Sequence, residues 1–410
     1  MQQETFTLRS NKSLRNFLAA RFLFILAMQM VSFALAWYLY ALTKSPLALG
    51  WLGLSEVIPA ISFALYAGHA IDRSNKRNML RNGMICYFIA VCLLCFVTSP
   101  FSEQQFGAKI IPLFVYFLIF CTGIFRAFTG PTFHAIVAQL VQKNQLPKAI
   151  TWSSTVWTAA AVTGPVLSGL LISLIGNTSM FYVSILLLAA AILFASRIPN
   201  QPVLHNNLLQ KPWQSMLQGL RFVWNTKQVL SALSVDMFAV LFGGATALLP
   251  VFAREILHID ASKTGMLKAA QGIGTVLILS VMTKFPLKKG QGQIMLQAVA
   301  LFGICIIVFA ISKNFWLSFG ALFFAGVFDG LSVVVRSTII QLYVPDDMRG
   351  RVSSVNSMFI NSSNELGQFE SGLAAKLMTT VPSVIFGGCM TILVVTIAWI
   401  KAPKLRKLEY

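Results

Sequence analysis

Two carboxylates, Glu365 and Glu370, stand in the stretch NSSNELGQFESG (361–372), inside an otherwise apolar segment from Val352 to Met378. A segment of that length can cross a bilayer. An acid near the bilayer midplane costs roughly 2.5–3.5 kcal/mol on insertion scales, so each needs a reason. At 100° per residue the two side chains point about 140° apart and cannot serve one helix face. Glu365 shares its side with Asn361 and Gln368, a polar stripe suited to a wet cavity and to a carboxylate that takes up and releases a proton. Glu370 shares its side with Asn356 and Ser363 and borders the small residues Gly367 and Ser371, which suits helix packing and a structural hydrogen bond.

Other charges fall inside apolar segments: Glu56, Arg126, Asp236, Asp329 and Arg336, with Arg21 near the start of the first. Each either serves substrate or proton coupling or forms a structural ion pair, and Arg21 has the further option of snorkelling to the interface. If Glu365 does not carry the proton, Asp236, Asp329 or Glu56 is next in line. His69 and His134 are weaker candidates. No HExxH or GxxxxGK[ST] pattern and no nucleophile beside a base is present, so an enzyme is not expected. CLLC (92–95) and AAQGIGT (269–275) sit in apolar segments and read as packing residues. No metal site and no cofactor are expected.

The elements that must hold these residues follow from composition. The chain has 410 residues, 56% hydrophobic and 11% charged, which marks a polytopic membrane protein. Runs of about 20 apolar residues predict twelve spans, near 16–42, 46–71, 78–99, 110–140, 147–175, 178–197, 229–256, 263–284, 290–312, 314–343, 349–379 and 381–401. With both termini placed in the cytoplasm, most of the 32 Lys and Arg fall on the cytoplasmic side, and only Arg21, Arg126 and Arg336 are assigned within spans. That bias fits a bacterial inner membrane and excludes nucleic acid, because the basic residues are scattered in short loops. The polar start MQQETFTLRSNKSLRN has no apolar core, so no cleavable signal peptide is expected.

Residues 1–198 and 229–410 are expected to form two six-helix halves, joined by a cytoplasmic linker over 199–228. Within the linker, Trp213, Met216, Leu217, Leu220, Val223 and Trp224 recur at helical spacing, an amphipathic helix expected on the membrane surface. The halves echo each other: GIFRAF (123–128) aligns with GVFDGL (326–331), QLV (139–141) with QLY (341–343), and TGPVLSG (163–169) with LGQFESG (366–372). The repeat places Asp329 opposite Arg126, and a duplicated bundle is how secondary transporters alternate access to a central site.

Between spans 2 and 3 stands GHAIDRSNKRN, with Gly68, Asp72, Arg73, Lys76 and Arg77. The pattern resembles the loop signature of the major facilitator superfamily, with Asn75 where that family usually carries glycine. The resemblance covers the whole chain and implies an all-α membrane protein, with twelve transmembrane helices in two pseudo-symmetric bundles. It implies that Asp72 braces the cytoplasmic end of span 11 and that spans 1, 4, 7 and 10 line the cavity, while the charge of Arg73, Lys76 and Arg77 in a cytoplasmic loop places them at the lipid surface. TGPVLSG resembles the Gly-Pro signature of exporters; its small residues Gly164, Ser168 and Gly169 let helices of the two halves slide closely past each other or, with Pro165, serve helix packing alone. ARFLF, GATALLPVFA and MRGRVSSVN look most like the branch of enterobactin exporters and macrolide efflux proteins. The implied activity is proton-driven export of a siderophore or amphiphilic drug-like molecule, energised by the proton gradient and performed by a monomer in the lipid bilayer. Import, or movement of a lysophospholipid, fits the same loop and fold.

Overall fold

The computed structural model describes residues 11–200, 212–285, 287, 289–345 and 348–408, and the secondary structure among them is helical. Chain order runs α1 (Lys12–Thr43), α2 (Pro46–Arg73), α3 (Lys76–Val97), α4 (Pro100–Leu140), α5 (Leu146–Ile175) and α6 (Asn177–Ser196). It continues with α7 (Pro212–Asn225), α8 (Lys227–Phe242), α9 (Leu249–Glu255), α10 (Ala261–Lys284), α11 (Gln291–Ile311), α12 (Phe315–Tyr343), α13 (Arg349–Met378), α14 (Thr380–Lys401) and the short α15 (Pro403–Arg406). Backbone groups have no water to bond in a bilayer, and helices satisfy them internally.

Local chemistry sets the ends. Asn75 caps α3 by accepting from Asn78 N at 3.2 Å, and Asp260 caps α10 by accepting from Lys263 N at 3.2 Å. Gly107, at φ 71°, breaks α4 after its first turns, so the long apolar part starts close to the predicted residue 110. The span predicted over 229–256 is met by one membrane-length stretch, Lys227–Glu255, which is not one continuous helix. Gly243 and Gly244 interrupt it, and a 3-10 turn (Ala245–Leu248) joins α8 to α9. Two adjacent glycines weaken a helix by about 1 kcal/mol each, and Pro250 in the first turn of α9 has no N–H to donate.

Among the described residues eleven helical stretches are long and apolar enough to cross a membrane, with α8 to α9 counted as one. The helix at the predicted eleventh position, α13, is not among them. Its 30 residues include the polar run from Asn361 to Ser371.

The chain forms two compact units. One takes the chain up to Tyr38 and residues Ile58–Leu208; the other takes Leu39–Val57 and the chain from Leu209 onward. The second unit therefore includes the end of α1 and the first part of α2, and α2 changes unit at Val57, beside its internal Pro59. In the first unit α3 packs on α4 and α6; in the second α12 packs on α10 and α11, and α11 on α14. Close approach of α10 and α12 uses glycine: a Cβ at Gly274 would lie 2.9 Å from Val327 N.

A turn repeats in both units. Gly176, at φ 84° and ψ 168°, joins α5 to α6, and Thr379, at φ 68° and ψ 168°, joins α13 to α14. The first position uses the residue that tolerates positive φ, and the second holds a β-branched side chain in the same conformation.

Candidate functional site

Glu365 and Gln368 lie one turn apart on α13, and Gln368 Nε2 donates to Glu365 Oε2 at 3.3 Å. The side chain of Asn361, the third member of the expected stripe, lies outside the described residues. Lys268 of α10 interacts electrostatically with Glu365. Sequence reasoning missed Lys268: it sits inside a helix assigned to the membrane, so the count of basic residues within spans has to include it. The opening stretch, ASKTGMLK, reads as an ordinary polar helix start and hides it.

Two faces of α13 are gripped by backbone within the second unit. On one, a Cβ at Gly53 would lie 2.8 Å from Gln368 Cβ and 2.9 Å from Glu365 O. A Cβ at Gly372 would lie 2.8 Å from Gly50 N, and Trp51 meets Phe369 edge-on at 5.5 Å. On the other, a Cβ at Gly367 would lie 2.8 Å from Leu241 O, and one at Gly244 would meet Ser371 Oγ at 2.8 Å. The helix break at Gly243–Gly244 thus lies against α13. Glu370 is half-buried and hydrogen-bonded to its neighbour Ser371. Where α1 ends, the Tyr40 hydroxyl donates to Glu255 Oε1 at the end of α9, a link no sequence pattern signalled.

Asp236 of α8 and Arg336 of α12 form an ion pair, with side-chain exposures of 7% and 5%. Both partners are buried, so removing either one alone would leave an uncompensated charge. Asp329, also on α12, makes no ion pair among the described residues, and Glu56 lies half-buried on α2 in the same unit. Arg126, half-buried on α4, belongs to the first unit.

The loop signature proves mostly helical. Gly68, Asp72 and Arg73 lie in the last turns of α2, and their side chains fall outside the described residues; only Ser74 and Asn75 separate α2 from α3. The expected lipid-facing role of Lys76 and Arg77 is corrected. Lys76 is buried, and Arg77 Nη1 donates to Asn200 Oδ1 at 2.7 Å while Nη2 donates to Ser196 O. An arginine here serves the orphan carbonyls at the end of α6.

The small residues of α5 pack closely within the first unit. Gly164, Pro165, Ser168 and Gly169 are buried; a Cβ at Gly164 would lie 2.6 Å from Gln29 Cβ, and Ser168 Oγ donates to Met30 O at 2.9 Å. They fit α5 to α1 within one unit. Arg21 does not snorkel: it is 5% exposed and donates to Ser153 Oγ at 2.6 Å. Nor does the whole apolar face of α7 meet lipid. Val223 is buried, and a Cβ at Gly219 would lie 2.9 Å from Arg351 O at the start of α13, while Leu217 and Trp224 are exposed. The side chains of Trp213 and Met216 lie outside the described residues.

The Major Facilitator Superfamily profile matches residues 17–368. The chain is 21% identical over 403 residues to the Staphyloferrin A transporter of Staphylococcus aureus, covering 96% of this chain and 97% of that one. It is 26% identical over 329 residues to the multidrug resistance protein MdtG of Yersinia enterocolitica, covering 77% and 75%. The fold superposes on a point mutant of the nucleoside transporter NupG with a TM-score of 0.76 at 14% identity, covering 94% of this chain and 99% of that one. These similar proteins are transporters and not catalysts. With its membrane-length helices and a profile match across most of its length, the chain belongs to the Major Facilitator Superfamily and is a multi-pass, secondary-active transporter of small molecules.

Proposed function

We propose that the protein is a proton-coupled exporter of a siderophore or an amphiphilic drug-like molecule, in the branch of enterobactin exporters and macrolide efflux proteins. Its similarity to both a siderophore transporter and a multidrug resistance protein supports that substrate range. The observation that carries the coupling role is Glu365, held by Gln368 and within electrostatic reach of Lys268. A carboxylate near a lysine exchanges a proton at low cost when the lysine's neutralising influence changes with conformation. Asp329 is the second acid of the site, Arg126 a substrate-contacting residue, and Asp236–Arg336 a brace. Glu370, Gly367 and Ser371 serve packing.

In this reading α13 also crosses the membrane, as the eleventh of twelve spans, its polar run tolerated because it faces protein and cavity. Residues 1–198 and 229–410 form the halves and 199–228 the linker. Asp72 holds the cytoplasmic end of α13, both termini lie in the cytoplasm, and a monomer in the inner membrane suffices.

Everted membrane vesicles energised by respiration test this reading. Uptake of a radiolabelled siderophore or macrolide should appear on energisation and collapse with a protonophore. Uptake that ignores the protonophore would refute proton coupling, and uptake by right-side-out vesicles alone would refute export.

A further inference from the structure

Arg21 occupies an environment that its structural contacts leave incomplete. It lies on α1, nine residues after Lys12, about 13 Å into the helix at 1.5 Å per residue. Its guanidinium sits 5.3 Å from the centre of the Phe133 ring on α4, and Nη1 donates to the buried Ser153 hydroxyl on α5. Nε is buried with no partner. Among the described residues no carboxylate faces Arg21; the titratable group within electrostatic reach is His134, which carries either no charge or a like one. The contrast with Arg336, neutralised by Asp236, is direct.

A buried guanidinium has five donors and a full positive charge, and one neutral hydroxyl and one ring face satisfy neither. Leaving a buried charge without a counter-ion is strongly unfavourable, so the arrangement is explained when an anion completes it in use. Along α4 beside it, His134 is exposed, and one turn earlier a Cβ at Gly130 would meet nothing within 4 Å.

We propose that Arg21, oriented by Ser153 and Phe133, is an anion-recognition site that binds a carboxylate of the transported molecule. The proposal rests on the transporter reading above and adds a substrate class to it: molecules with at least one free carboxylate. Planar guanidinium matches carboxylate in a two-pronged geometry that an amine would not supply. Ser153 fixes the plane of the fork, and Phe133 keeps water from its face.

The test is thermal unfolding of the full-length protein in nanodiscs of zwitterionic lipid, with citrate or benzoate compared against chloride at equal ionic strength and pH. The wild-type protein should gain a few degrees in Tm with the carboxylates, and Arg21→Gln should lose that gain. Without added anion, Arg21→Gln should melt no lower than wild type, because it removes an uncompensated charge. Ser153→Ala should keep part of the gain. If Arg21→Gln does not fold, Arg21→Lys takes its place and should show a reduced gain. An equal gain in wild type and variant, or no carboxylate-specific gain in wild type, overturns the proposal. A gain that appears only when phosphatidylglycerol is added assigns the anion to a lipid headgroup and also overturns it. Because binding is read directly, loss of the anion site with intact protonophore-sensitive flux leaves the transporter reading standing.

Discussion

Gln368 donates to Glu365 across 3.3 Å on one face of α13, and Gly53 of α2 packs on both residues. The carboxylate is thus held by a neutral amide and crossed by backbone from a helix made early in the chain. Glu365→Gln is expected to retain substrate binding and to lose proton-driven transport by roughly tenfold or more, because an amide cannot exchange the proton. Efflux and equilibrium binding measured side by side check this; wild-type efflux by the variant would pass the role to Asp329 or Glu56.

Gly53 has no room for a side chain. Gly53→Val should lower stability by about 1–3 kcal/mol through overpacking against Gln368 and Glu365 O, read as a lower Tm in detergent. An unchanged Tm would show that α2 and α13 do not stay in this contact.

Removing one partner of the Asp236–Arg336 pair leaves the other charge buried. Asp236→Asn or Arg336→Met alone should each destabilise by about 3–5 kcal/mol, whereas Asp236→Leu combined with Arg336→Met should recover most of the loss. A double-mutant cycle on unfolding measures the coupling, and additive losses would refute a mutual pair.

Thr379 holds the backbone that Gly176 holds in the other unit. Thr379→Gly should raise stability by about 1 kcal/mol or more by relieving the positive φ. The reverse change, Gly176→Thr, should lower it by a similar amount; Tm values moving in the same direction would contradict the strain.

The helices, their spacing and the charged residues within them were legible because apolar runs and isolated charges in them follow directly from the cost of polar groups in lipid. Glu365 and Gln368 were also legible as neighbours, since three residues make nearly one helical turn. Pairing between helices was not. Asp236 meets Arg336 in an ion pair, and Lys268 comes within electrostatic reach of Glu365, through tertiary placement that carries no sequence period. The break before α9 was written in Gly243, Gly244 and Pro250, but surrounding apolar residues masked it. Arg77 resembled a lipid-facing charge because a basic loop and a helix-capping arginine have the same composition.

The link from Tyr40 to Glu255 spans 215 residues of chain. At 5–20 residues per second of synthesis, Tyr40 waits on the order of 10–40 s for its acceptor to be made. The glycines at 50 and 53 wait longer, since their partners lie further on in α13. During that interval the first hairpin is inserted with its close-packing backbone unmatched, so it depends on the insertion machinery or on lipid for cover. Nascent chains stalled before Glu255 should therefore be cleaved by protease in this hairpin, and chains released after α13 should resist.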